Sequence, residues 1–315
     1  MNDPHTSVHA PIAYPFAAAV LDPADVAHVE QELAQAERTA PLLTAHPGLT
    51  QVAASFLRHC SPPSPGRDAL ALVARFLRIV LFFNDRVDPA RTAEDAGVVW
   101  RHIMDPLDRP PGRGDAPAAT DGLAAAAADV GQRLARALAD RGVEATSFAH
   151  LFRINLAVFV HSTGPTVPVP TTVAEHLELR CETISATAYL RLWGLLGGLE
   201  SASETRVGFR LQQAERLSAR VQALANDLRS VDRDARAGEP NAVLIEQRRC
   251  GGSREEAAAS MRALHDESLR ALVAVLAAAG DQATHTPGLA RYLRFIEICT
   301  CGNNHAMDEL SARYV

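Results

Sequence analysis

The sequence predicts an all-α fold built around one apolar interior, and three observations carry that prediction. Hydrophobic residues make up 47% of the chain while aromatics make up only 5%. Alanine-rich runs such as Leu123 to Ala128 and Leu272 to Ala279 join the residue of highest helix propensity to leucine and valine. No stretch alternates apolar and polar residues in the manner of a half-buried strand, and there is no internal repeat or glycine-rich phosphate loop. At 315 residues the chain can bury a sizeable core. Without a long polar linker it reads as one domain over residues 15–315. A polar, proline-containing segment, residues 1–14, precedes it and is expected to be flexible or to lie as a strap across the domain.

The elements follow in order. Asp22 ahead of Pro23 is a cap followed by a first-turn proline, so a helix is predicted over Pro23 to Ala40, with Val26, Val29, Leu33 and Ala36 as its buried stripe. The run SPPSPGRD at 61–68 is a turn. Ala69 to Asp85 is then apolar almost all round, which predicts a central helix. PLDRPPGRGDAPAATD at 106–121 and GPTVPVPTT at 164–172 read as loops with two helices between them. From Thr172 onward helical spacing runs to the C-terminus. Breaks are predicted near Gly197 and Gly198, at Ala237 to Pro240, at Gly251 to Ser253 and around Gly280 to Pro287.

Charge and cysteine usage narrow the function classes. A net charge of −6 and a pI near 6.1 supply no basic field for nucleic acid or an anionic membrane, so anion recognition falls to local arginines. The start of the chain lacks the basic and apolar stretches of a signal peptide, and no apolar run reaches the roughly 20 residues of a membrane span. Five cysteines, an odd number without CxxC spacing, favour neither a disulfide framework nor a zinc knuckle. A reduced, cytoplasmic setting is expected. Twelve histidines are scattered without metal-ligand spacing such as HExxH.

The segment NDLRSVDRD, 226–234, carries the first chemistry. Asn226, Ser230 and Asp234 recur every fourth residue and so line one helix face. Taken alone the pattern has two readings: a solvated polar face, or a set of hard oxygen donors for Mg²⁺, which takes a few protein oxygens and fills its shell with water and phosphate. Upstream, FFNDRVD at 82–88 places Asn84, Asp85 and Asp88 at the end of the apolar helix. Carboxylates there oppose the helix dipole, which favours a compensating cation.

These two segments resemble the signature of the bacterial class I terpene synthases, an aspartate-rich motif DDxxD followed by NDxxSxxxE. Asn84, Asp85 and Asp88 match the first, and Asn226, Asp227, Ser230 and Asp234 the second, in the family's order and at about its separation. Arg180, in HLELRCETISA, falls where the family's YLxxRxxTxG places a diphosphate-sensing arginine. Ser311, Arg313 and Tyr314 match a C-terminal Arg-Tyr feature.

The resemblance implies a class I terpenoid synthase α-bundle around a central apolar cavity. Three Mg²⁺ ions are expected, held by Asn84, Asp85 and Asp88 on one side and Asn226, Ser230 and Asp234 on the other. The substrate implied is a linear C15 or C20 prenyl diphosphate, whose diphosphate leaves and whose carbocation cyclises to a hydrocarbon or alcohol. Arg180, Asn226, Arg233, Arg313 and Tyr314 are the implied diphosphate contacts, with Arg180, Ile184, Arg313 and Tyr314 taking part in ionisation. Phe76, Phe82, Phe83, Phe159, Thr183, Tyr189, Trp193 and Met307 are the implied pocket residues. The family's dimers extend the expectation to a homodimer.

Three departures stand out: Asn84 for the first aspartate, Asp234 for glutamate, and Met307 where many members carry tryptophan. Two other functions share this machinery, a class I cyclase acting on a preformed bicyclic diterpene diphosphate and a degenerate, non-catalytic prenyl-diphosphate binder. Chain elongation is disfavoured, because elongating synthases carry two aspartate-rich motifs.

Overall fold

The computed structural model describes residues 12–39, 48–63, 65–84, 101–102, 122–142, 169–197, 208–283 and 287–310. The regular elements among these described residues are α-helices. Contacts gather the chain into two compact units, one of Ala19–Val167 with Arg191–Glu200, the other of Met1–Ala18, Pro168–Leu190 and Ser201–Val315.

In the first unit α1 (Pro23–Thr39), α2 (Gly48–Cys60) and α4 (Gly122–Ala139) all pack on α3 (Arg67–Asn84). Asp22 caps α1 as its sequence predicts, its Oδ1 accepting from the Asp25 amide at 2.9 Å. Val29, Leu33 and Ala36 are buried, and enclosing a leucine such as Leu33 contributes about 2 kcal/mol. Helix α3 buries Leu70, Val73, Phe76 and Ile79.

It is less uniformly apolar than expected, because two arginines are built into it. Arg75 bridges Glu32 at 2.7 Å and Asp129 at 2.9 Å. Arg78 is fully buried, with Nε donating to Thr50 at 3.1 Å and Nη2 to Glu37 at 3.3 Å. A guanidinium out of water is tolerable only when paired in this way.

In the second unit α7 (Gly208–Ala237) is the central helix, with α5 (Val173–Thr183), α8 (Ala242–Cys250), α9 (Arg254–Ala283) and α10 (Pro287–Glu309) around it. Leu224, Leu228 and Val231 of α7 meet Leu177, Val243 and Met261 in one apolar cluster. A capping box opens α5: the Thr172 hydroxyl takes the Glu175 amide while the Glu175 carboxylate takes the Thr172 amide. Gly251 closes α8 at φ +65°, a left-handed conformation that costs a glycine nothing sterically. Within the break predicted around Gly280 to Pro287, α9 continues through the glycine to Ala283 and α10 starts at Pro287.

The stretch before residue 15 is anchored where it is described. Ile12 packs against the α7 cluster, and Tyr14 Oη lies 3.2 Å from His265 Nε2. Just beyond, the carbonyl of Ala17 accepts from Arg294 at 3.0 Å. Helix α6 (Ala186–Leu196) follows α5 after a two-residue break. All five cysteines are free.

Candidate metal centre

Thirty residues of uninterrupted helix in α7 put Asn226, Ser230 and Asp234 one turn apart on the same face. Ser230 is fully buried and Asp234 only 4% exposed, so neither belongs to a solvated surface. Ser230 Oγ donates to Asp234 Oδ2 at 2.5 Å, and Arg233 grips Asp234 Oδ1 from Nη2 at 2.9 Å. At the other end of the row Arg180 Nη2 donates to Asn226 Oδ1 at 3.2 Å. Three hard oxygen donors thus stand in line between two guanidiniums. Asn226 is half-buried, while Ser230 and Asp234 lie away from solvent.

Asp227 points elsewhere. It is 2% exposed, and its Oδ2 accepts from His176 Nε2 at 2.7 Å and from the Ala242 amide at 2.9 Å. Oδ1 lies 3.6 Å from Arg180 Nε. Burial acts to raise the Asp227 carboxyl, but the His176 hydrogen bond, the Arg180 charge and the Ala242 amide outweigh it and hold the group below the ordinary carboxylate value.

Asn241, fully buried, ties the same region together. Its Nδ2 donates to the Asp227 carbonyl at 2.9 Å and to Asp234 Oδ2 at 2.8 Å, while its Oδ1 caps α8 at the Val243 amide. Sequence reasoning passed over both His176 and Asn241. Asn241 carried a usable signal, an asparagine after a Gly-Glu-Pro turn and ahead of an apolar run, which marks a helix N-cap.

The remaining expected site residues fall as follows. Ile184 caps the C-terminus of α5, its amide bonded to the Arg180 and Glu182 carbonyls, and its side chain packs against core clusters. Thr183 is half-buried beside it. The break after Arg180 is completed by Ser185 at φ +58°, a left-handed non-glycine residue. The glycine of the resembled motif YLxxRxxTxG falls at that position, a signal that was available.

Met307 is fully buried on α10 with Sδ 3.6 Å from Asn226 Nδ2. Tyr189 is buried and its ring lies 6.5 Å from that of Phe295 at 40°. Phe76 and Trp193 are buried in the first unit. Phe82, Phe83 and Asn84 contribute backbone to the last turn of α3, and their side chains lie outside the described residues. Asp85, Asp88, Phe159, Arg313 and Tyr314 lie outside them altogether. Among the described residues no group of three His, Cys, Asp or Glu side chains could hold a metal ion; the row Asn226, Ser230, Asp234 has an amide and a hydroxyl beside its one carboxylate.

The family model described as terpene synthase family 2, C-terminal metal binding, matches residues 75–271, well over half of the chain. The chain belongs to this family. The match spans Arg180 and the whole row from Asn226 to Asp234. Solved structures share the terpene synthase fold over nearly the full length. Linalool/nerolidol synthase from Streptomyces clavuligerus, in complex with 2-fluorogeranyl diphosphate, is 23% identical, with 93% of this chain and 97% of that one covered at a TM-score of 0.75. Germacradien-4-ol synthase from Streptomyces citricolor is 18% identical, with 96% and 99% covered at 0.75. The 2-methylisoborneol synthase of Streptomyces coelicolor A3(2), in complex with Mg²⁺ and 2-fluorogeranyl diphosphate, is 19% identical, with 96% and 98% covered at 0.74. No curated protein matches the sequence. The protein is a class I terpene synthase with a metal-binding domain. No helix among its described residues is long and apolar enough to cross a membrane.

Proposed function

We infer that this terpene synthase ionises a linear prenyl diphosphate of C15 or C20 length with Mg²⁺ and cyclises the carbocation to a hydrocarbon or alcohol, as a carbon-oxygen lyase. The observation that carries the reading is the row of half-buried Asn226 and buried Ser230 and Asp234, flanked by the guanidiniums of Arg180 and Arg233. An amide oxygen, a hydroxyl and a carboxylate are the donor chemistry that suits a hard cation, so these residues fit Mg²⁺. Bound there, the ion neutralises charge growing on the departing diphosphate.

The protein's own part is to hold the donors ready. Arg180 donates to Asn226 Oδ1 and Arg233 to Asp234 Oδ1, so the oxygens at both ends of the row have a donor. Asn226, Ser230 and Asp234 would hold the ion, and Arg180 and Arg233, at the two ends of the row, would be placed to donate to the diphosphate. Met307, against Asn226, puts a thioether rather than water at the apolar edge of the row.

Incubation with farnesyl and geranylgeranyl diphosphates plus Mg²⁺, followed by gas chromatography and mass spectrometry, tests the reading. Because two of the similar structures hold 2-fluorogeranyl diphosphate, geranyl diphosphate belongs in the same assay. Release of diphosphate with a terpene product is the expected result. Tight substrate binding without turnover would make the protein a binder, and turnover of none of the three would overturn the proposal.

A further inference from the structure

Asp227 sits inside the second motif, one residue from a ligand of the row, yet it makes none of the contacts a metal ligand needs free. Both its oxygens face inward. Oδ2 is shared by His176 Nε2 at 2.7 Å and the Ala242 amide at 2.9 Å, and the carboxylate is 2% exposed. Oδ1 faces the guanidinium of Arg180 at 3.6 Å from Nε, and that Nε is buried with no hydrogen-bond partner. Nη2 of the same side chain reaches Asn226 Oδ1 at 3.2 Å. Arg180 is therefore held along one edge by a fixed anion and touches the ligand row with another. His176 is fixed in turn by α5, whose capping box and buried Leu177 set the helix that carries both His176 and Arg180.

The geometry points to Asp227 and His176 as positioning residues for the reaction: Asp227 aims the Arg180 guanidinium at the diphosphate, and His176, one helical turn before Arg180, locks the Asp227 carboxylate in the orientation that does so. The inference rests on the terpene synthase reading above. The physics is that of a ligand's outer partner. An arginine free to swing loses part of its binding energy in becoming ordered, whereas one ion-paired along its Nε edge with a fixed carboxylate keeps its Nη atoms directed. The 3.6 Å approach is loose for a hydrogen bond, and a shift of less than 1 Å closes it when the diphosphate draws the guanidinium into place. Asp227 also anchors the Ala242 amide at the start of α8, so the same carboxylate joins three helices and has little freedom to turn outward to a metal.

The test uses the full chain, with inorganic diphosphate and Mg²⁺ as the calorimetric probe beside steady-state kinetics. Asp227→Asn keeps the shape and removes the charge. Diphosphate affinity and kcat are expected to fall about tenfold together, while half-saturating Mg²⁺ stays within about twofold. His176→Leu, which removes the donor, is expected to give the same pattern. His176→Gln, which keeps one, is expected to return affinity to within about threefold of wild type.

Undiminished diphosphate affinity in Asp227→Asn overturns the inference, and so does a large rise in half-saturating Mg²⁺, which would make Asp227 a metal ligand. His176→Gln as impaired as His176→Leu overturns the part given to His176. Should Asp227→Asn fail to fold, the two His176 variants decide alone. A wild-type chain that takes up no diphosphate with Mg²⁺ overturns the terpene synthase reading and this inference together. Uptake by wild type and variants alike overturns this inference only.

Discussion

Asn241→Ala is the perturbation whose cost can be worked most directly from the structure. The side chain is fully buried and makes three good hydrogen bonds: to the Asp227 carbonyl, to Asp234 Oδ2 and from the Val243 amide. Losing the N-cap of α8 costs about 1 kcal/mol. Losing the charge-assisted bond to a carboxylate costs a further 1.5 to 3 kcal/mol or so. The Asp227 carbonyl remains in its helix and adds little. A total of about 2.5 to 4 kcal/mol follows, at the upper end of what single substitutions do.

Asn241→Ser separates the two contributions, since serine caps a helix as well as asparagine but carries no amide to reach Asp234. It should recover only the cap, about 1 kcal/mol. Urea titration read by circular dichroism gives the stability difference, and Mg²⁺ titration of turnover gives the functional one. Asp234, left with Ser230 and Arg233 as its donors, is expected to lose about tenfold in apparent Mg²⁺ affinity in both variants. Full recovery of Mg²⁺ affinity in Asn241→Ser, or loss of stability below about 1 kcal/mol in Asn241→Ala, would refute the claim that Asn241 orients Asp234.

Three further outcomes follow from single residues. Asn84→Asp restores a carboxylate at the first position of the upstream motif and should lower the Mg²⁺ concentration giving half-maximal turnover; an unchanged metal dependence rejects Asn84 as a ligand. Ser185→Gly relieves a non-glycine residue at φ +58° and should stabilise the chain by about 0.5 to 1 kcal/mol, while Ser185→Val should destabilise it, both read from denaturant midpoints. His265 lies against Tyr14 and Asp266, and its burial holds it below the ordinary histidine value although Asp266 acts in the opposite sense. The unfolded chain therefore takes up a proton there before the folded one does. Stability should fall as pH drops below about 6.5, and a His265→Gln variant should show a shallower decline in melting temperature between pH 7 and 5.

How much of this was legible in the sequence depends on the range over which each feature is encoded. Helices whose ends carry their own chemistry, such as Asp22 and Pro23 for α1, Thr172 for α5 and Gly251 for α8, stand where local pattern puts them. The break predicted around Gly280 to Pro287 starts only after Ala283, because a glycine merely weakens a helix and 26 residues of α9 precede Gly280. The row Asn226, Ser230 and Asp234 was legible because residues four apart share a face whatever surrounds the helix.

His176 and Asp227 show the opposite case. Their contact spans 51 positions, and nothing in HLEL distinguishes a histidine bound to a buried carboxylate from one facing water. Arg78 is similar: an arginine in an apolar helix signals a buried ion pair only once Glu37 and Thr50 are known to be beside it. The polar partners of Asp227 and Arg78 arrive from other helices, so the roles of these groups are properties of packing and not of any one segment. That is why the motif residues could be named from their spacing, while the residues that orient them could be named only from the folded chain.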